Sequence, residues 1–195
     1  MMGIENKEDK IIESALILFA EKGFHGTNVP EIAKLANVGT GTIYRYFSNK
    51  EALVNKVYQV YMKKLSNSIL SNFPTTNSTY EKYLHIMNNL IQFAKDNKTA
   101  FIFIETHNHA NYLDESSTLI VQEFQSFLNV SIQEGVKQKH LRDYMPSEAL
   151  IAIIYGAYVA FFKRIEAGEI QETPELMRLF LQSGWDAIKN NDVTK

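Results

Sequence analysis

The stretch VGTGTIYRYFSNKEAL, Val38 to Leu53, decides how this chain is read. Two glycines and two threonines stand just ahead of Tyr44-Arg45-Tyr46. A nucleotide-phosphate loop would need G-x-x-x-x-G-K-[ST] after a strand, or G-x-G-x-x-G inside a βαβ unit. Gly39-Thr-Gly41 has neither spacing and no strand pattern before it. On a helix turning about 100° per residue, Ile43 and Phe47 share one side and can anchor in a core. The opposite side carries Tyr44, Gly41 and Arg45, with Thr40 and Thr42 at its flanks. A glycine in the middle of an exposed helical face costs about 1 kcal/mol of propensity. Close approach by another backbone, such as a sugar-phosphate chain, is one reason to keep it.

Upstream, Ile11, Ile12, Ala15, Leu16 and Phe19 form an apolar stripe of helical period, which Gly23 should end as a left-handed cap. Asn28-Val-Pro-Glu31 has the form of a capping box with Asn in the Ser/Thr position, and opens a short second helix that buries Val29, Ile32, Ala33 and Ala36. Asn37 and Gly39 bracket a tight corner, both tolerant of left-handed backbone. A third helix is expected over about residues 40–47. Ser48-Asn-Lys-Glu51 reads as an S-x-x-E capping box at the head of a long fourth helix, with Leu53, Val54, Val57, Tyr58, Tyr61 and Leu65 inward.

Downstream, SNFPTTNST (Ser71–Thr79) is the one loop-rich break. Helical patterns then follow over Tyr80–Lys95, Thr99–Asn108, Ser116–Lys139, Ser147–Glu166 and Thr173–Asn190, and no segment shows sustained strand alternation. The expected fold is all-α: a three-helix helix-turn-helix domain over residues 1–66, joined by the long helix to an all-helical domain over 67–195.

Composition agrees with a folded, water-borne chain: 195 residues, 45% hydrophobic and 22% charged. The net charge of −2 favours no nucleic-acid partner, but it is unevenly spread. Residues 1–66 hold nine Lys/Arg against seven Asp/Glu, so the excess acid lies in the remainder. There is no cysteine, which excludes disulfides, thiolate metal sites and a cysteine nucleophile. The N-terminus lacks the apolar core of a signal peptide. The longest apolar run, ALIAIIYGAYVAFF (Ala149–Phe162), is 14 residues, short of the roughly 20 that a membrane span needs. A cytoplasmic protein with no membrane partner and no cofactor is expected.

Two short helices, a tight turn and a third helix anchored by its inner face follow the helix-turn-helix plan, in which the last helix enters the major groove. Spacing alone leaves open a bland alternative, three core helices with a Thr/Tyr surface. The residues add to this. Phe19 to Thr27 fits F-x-x-x-G-[FY]-x-x-[TS], Ile32 to Ala36 fits I-A-x-x-A, Gly41 to Phe47 fits G-T-I-Y-x-Y-F, and Lys50 to Leu53 fits K-E-x-L. Over about residues 8–55 the chain thereby resembles the DNA-binding domain of tetracycline-repressor (TetR) family regulators.

The resemblance implies a sequence-specific transcriptional regulator, a ligand-responsive repressor rather than an enzyme, bound as a homodimer to a near-palindromic double-stranded operator. The alternative is a helix-turn-helix protein controlled by a protein partner. By the match, Thr27 holds a phosphate through its hydroxyl, Lys50 binds another, and Thr40, Gly41, Thr42, Tyr44, Arg45 and Tyr46 meet DNA. Arg45 is the candidate for bidentate reading of guanine, and Tyr44 for a thymine methyl or a phosphate. Gly39 stands where the family usually has Ser, and Thr40 where Lys, Arg or Pro is common.

The family's C-terminal domain dimerises through its last two helices. Ile153, Gly156, Ala157 and Ala160, with Leu176, Leu179, Phe180, Ser183 and Ala187, offer small and apolar faces for this. It also holds an effector, expected to be a largely apolar small molecule, for which Phe93, Phe103, His107, Tyr112, Phe124, Phe127 and Tyr155 are candidates. Glu105, His107 and His109 suggest a metal site only weakly, since neither E-x-x-H nor H-E-x-x-H is present.

Overall fold

The computed structural model describes residues 6–108 and 110–191. Its helices are α1 (Lys7–Gly26), α2 (Val29–Leu35), α3 (Thr40–Tyr46), α4 (Lys50–Leu70), α5 (Thr79–Asp96), α6 (Lys98–His107), α7 (Glu115–Lys137), α8 (Ser147–Glu166) and α9 (Pro174–Ile188). Among the described residues there is no strand, only an isolated bridge between Leu141 and Lys189. The all-α expectation holds, and helix bounds fall within a few residues of the sequence patterns.

The chain packs as two compact units. One comprises the chain up to Ser71 together with Asn89–Gln122; the other comprises Asn72–Asn88 and Glu123–Lys195. In the first unit, α1 lies against α2, α3, α4 and α6. Its stripe is buried as expected, with Ile11, Ala15 and Phe19 fully enclosed, and Leu53, Val54, Val57 and Tyr58 of α4 equally so. Tyr61 is only half-buried, whereas Met62, Ile69 and the polar Asn55 are inside. All of α4 belongs to this unit, while α5 and α7 are divided between the two. The packing units therefore do not follow the expected break at residue 66.

Gly23 takes a positive φ of 68° but an extended ψ of 176°, so it links α1 to one further turn instead of ending it. Asn28 caps α2, its side chain accepting the Glu31 N–H at 2.9 Å. Glu31 turns to Lys22 at 3.0 Å. At the next corner only Asn37 is left-handed, with φ 53°. Gly39 is extended and caps α3 with no side chain. The cap of α4 is also one residue later than the S-x-x-E reading placed it: Asn49, not Ser48, accepts the Ala52 N–H, at 2.7 Å.

In the second unit α8 packs on α9. Tyr83 of α5 donates its hydroxyl to the Leu181 carbonyl at 2.8 Å. That hydroxyl stands 2.5 Å from where a Cβ on Gly184 would be, so this glycine serves the unit's own packing.

Candidate DNA interface

The two inner residues of α3, Ile43 and Phe47, are buried, and Thr27, Val29, Ile32 and Ala33 are buried around them in the same small domain. With its inner face held, α3 turns Gly41, Tyr44, Arg45 and Tyr46 to solvent, with Thr40 and Thr42 half-buried at the flanks. Tyr44 keeps 52% of its surface exposed. A Cβ on Gly41 would meet nothing within 4 Å, so no neighbour in the chain requires a glycine there. The guanidinium of Arg45 lies 5.3 Å from the centre of the Tyr46 ring. There is no acidic residue in the first turn of α3 and Arg45 stands in its last.

Two expected phosphate ligands are placed differently. Thr27 is buried, its hydroxyl 3.0 Å from the Leu18 carbonyl and 2.8 Å from that of Gly23. Its proton faces these two α1 carbonyls. The Lys50 ammonium donates to the carbonyls of Phe24 at 2.9 Å and Thr27 at 3.0 Å. It also stands 4.2 Å from the centre of the Phe24 ring. A cation is favoured at these C-terminal carbonyls of α1, and an ammonium has three donors, of which these bonds use two.

The candidate effector residues separate. Phe93, Phe103, His107 and Tyr112 belong to the first unit, and Phe124, Phe127 and Tyr155 to the second. Phe103 and His107 are buried, with ring centres 4.2 Å apart, and His107 lies 6.0 Å from Tyr112. Tyr112 stacks on Phe24 at 4.2 Å. Phe93 is buried. Phe127 meets Phe73 edge-on at 4.9 Å, while Phe124 and Tyr155 are half-buried.

His107 has a defined chemistry. Its Nδ1 is 2.9 Å from the Phe103 carbonyl, which can only accept, so Nδ1 carries the proton. Nε2 is then a buried lone pair, and it has no hydrogen-bond partner. Burial lowers the imidazole pKa from its ordinary value, with the Phe103 carbonyl pulling the other way. Among the described residues no group of three His, Asp or Glu side chains is placed to hold a metal ion. His109 lies outside the described residues.

Sequence reasoning missed Asn55. A polar residue within a helix reads as solvent-facing, yet Asn55 is buried and binds a loop more than fifty positions away. No local signal marks it.

A short helix held by its inner face, with an aromatic, basic and acid-free outer face, has the form of a helix-turn-helix recognition helix. Residues 11–57 match the family model described as bacterial regulatory proteins, tetR family, and residues 58–190 match the tetracyclin repressor-like C-terminal domain. The chain belongs to the TetR family of transcriptional regulators. It is 35% identical over 138 residues to the "Probable HTH-type transcriptional regulator YttP" of Bacillus subtilis, covering 68% of this chain and 66% of that one. Its fold is that of a TetR family transcription regulator from Marinobacter aquaeolei, with TM-score 0.85 at 20% identity over 95% and 96% of the two chains. It is also that of the transcriptional regulator FadR from Bacillus subtilis in complex with stearoyl-CoA, with TM-score 0.73 at 20% identity over 90% and 96%.

Proposed function

We propose that this regulator is a ligand-responsive repressor that grips a near-palindromic operator as a dimer and lets go when a small-molecule effector binds. The observation that carries the DNA half is the outward face of α3, where Tyr44, Arg45 and an unobstructed Gly41 stand over a buried Ile43 and Phe47. Arg45 reads a guanine edge through two of its guanidinium N–H donors. Tyr44 meets a thymine methyl or a phosphate, and Thr40, Thr42 and Tyr46 bind the backbone that passes over Gly41. Lys50 adds a phosphate through its remaining N–H, and Thr27 contributes by holding the corner.

Helix-turn-helix readers bind paired half-sites one or more helical turns apart. The α8–α9 pair supports a dimer, because Ile153 and Leu179 remain 38% and 47% exposed beside exposed Gly156, Ala157, Ala160 and Ser183. Leu176, Phe180 and Ala187 are half-buried next to them. The effector is a largely apolar molecule, a reading that the stearoyl-CoA complex of a like fold supports. An effector-induced loss of about 5–150-fold in affinity requires it to favour the DNA-incompetent state by about 1–3 kcal/mol.

The test is selection of bound duplexes from a random pool by the full chain and by Tyr44→Ala/Arg45→Ala. An inverted repeat enriched by the wild type alone is the expected result. Equal, salt-sensitive retention of all sequences by both proteins would leave only backbone contacts and refute the α3 reading.

A further inference from the structure

We infer that Tyr112 is a positioning residue for DNA binding: clamped to α4 by Asn55, it stacks on Phe24 and so sets where the Lys50 ammonium stands. This rests on the reading of Lys50 as a phosphate contact.

The clamp is fully satisfied. Asn55 donates through Nδ2 to the Glu51 carbonyl at 2.9 Å and the Tyr112 carbonyl at 2.8 Å. Its Oδ1 accepts the Asp114 N–H and the Ser117 hydroxyl, each at 2.8 Å. An amide has two donors and two acceptor sites, so Asn55 spends all of them, three on the 112–117 segment. Ser117 is completely buried, and Gln59 adds a bond to it at 3.2 Å. Asp114 in turn accepts the Ser117 N–H at 2.7 Å, capping α7. The segment is therefore fixed to the first turns of α4, the helix that begins at Lys50.

Tyr112 is the side chain this clamp presents. Its ring stacks on Phe24 at 4.2 Å with 27° between planes. Phe24 supplies Lys50 with two contacts at once, the carbonyl at 2.9 Å and the ring face at 4.2 Å. Phe24 also follows the non-helical link at Gly23, so a continuous helical ladder does not hold it. Its carbonyl accepts the Thr27 N–H at 3.4 Å, and ring contacts hold its side chain, with Tyr112 on one edge of the cluster and Phe19 at 6.1 Å on another. Shift Tyr112, and the carbonyl and ring that aim the ammonium shift together. An event that draws residues 112–117 off α4 would thus weaken DNA binding without touching α3.

The experiment measures binding of the full chain to a labelled random-sequence duplex of about 30 base pairs, enough for two half-sites, across a salt series. The proteins are wild type, Lys50→Gln, Tyr112→Leu, Tyr112→Phe and Tyr112→Leu/Lys50→Gln. Lys50→Gln should lose about three- to tenfold in affinity and lower the salt slope by about one. Tyr112→Leu should reproduce both effects, Tyr112→Phe should retain wild-type binding, and the double variant should bind no worse than Lys50→Gln. Additive losses would overturn the inference, since a merely structural Tyr112 would act whatever stands at position 50. A silent Lys50→Gln would remove the phosphate reading itself; an effective Lys50→Gln with a silent Tyr112→Leu would sink this inference alone. Should Tyr112→Leu melt below the assay temperature, Asn55→Ala carries the same test from the other end of the clamp. It must weaken binding in the wild type and be silent beside Lys50→Gln.

Discussion

His107 is neutral at the centre of an aromatic cluster, and its free lone pair makes acid the natural probe of that cluster. Its folded pKa lies below the ordinary value near 6.5, because burial disfavours the imidazolium. Below about pH 6.5 the unfolded chain therefore binds a proton that the folded chain refuses, and stability falls as pH drops through that value. Wild type should melt at a lower temperature near pH 5.5 than near pH 7.5, and His107→Phe should narrow the gap. Identical pH profiles for the two proteins would show that His107 titrates normally in the fold. At this scale the outward residues were the legible ones. Tyr44 and Arg45 follow from the period of α3, whose inner pair Ile43 and Phe47 leaves them no other side. Thr27 was legible as a position, but the carbonyls its hydroxyl meets were not, since only the folded end of α1 brings them near. Asn55 could not be read, because its partners lie across the loop before α7.

Among the elements, caps separate local from non-local information. Asn28 and Thr173 accept the backbone N–H groups that their positions predict. At the head of α4, Ser48 and Asn49 are both good caps by type, and the entry angle of the chain chooses between them. Asn49→Ala should cost about 1 kcal/mol in chemical denaturation, with Ser48→Ala near zero; the reverse order would restore the S-x-x-E reading. Glycines divide in the same way. Gly23 needs its positive φ, a local demand, whereas Gly184 is required by the Tyr83 hydroxyl of another helix. The hydrogen side of Gly184 is filled from within its own unit.

For the whole molecule, the exposed apolar residues of α8 and α9 carry the dimer reading. Leu179→Glu should convert the proposed dimer to monomer in sedimentation while leaving helical content unchanged, and should weaken DNA binding by removing the paired half-site contact. A Leu179→Glu protein that sediments as the wild type does would place the interface elsewhere or remove it. By itself the sequence determined the all-α class, the order and approximate bounds of the helices, and the outward face of α3. Those properties follow from hydrophobic period and capping chemistry, which act over a few residues. Only the tertiary structure decided that residues 89–122 pack with the N-terminal helices, that Asn55 binds the Tyr112 carbonyl, and that the Phe24 carbonyl accepts the Lys50 ammonium. Contacts between positions twenty-five or more apart leave no periodic trace in a single chain; they exist once side chains from several helices compete for one buried volume.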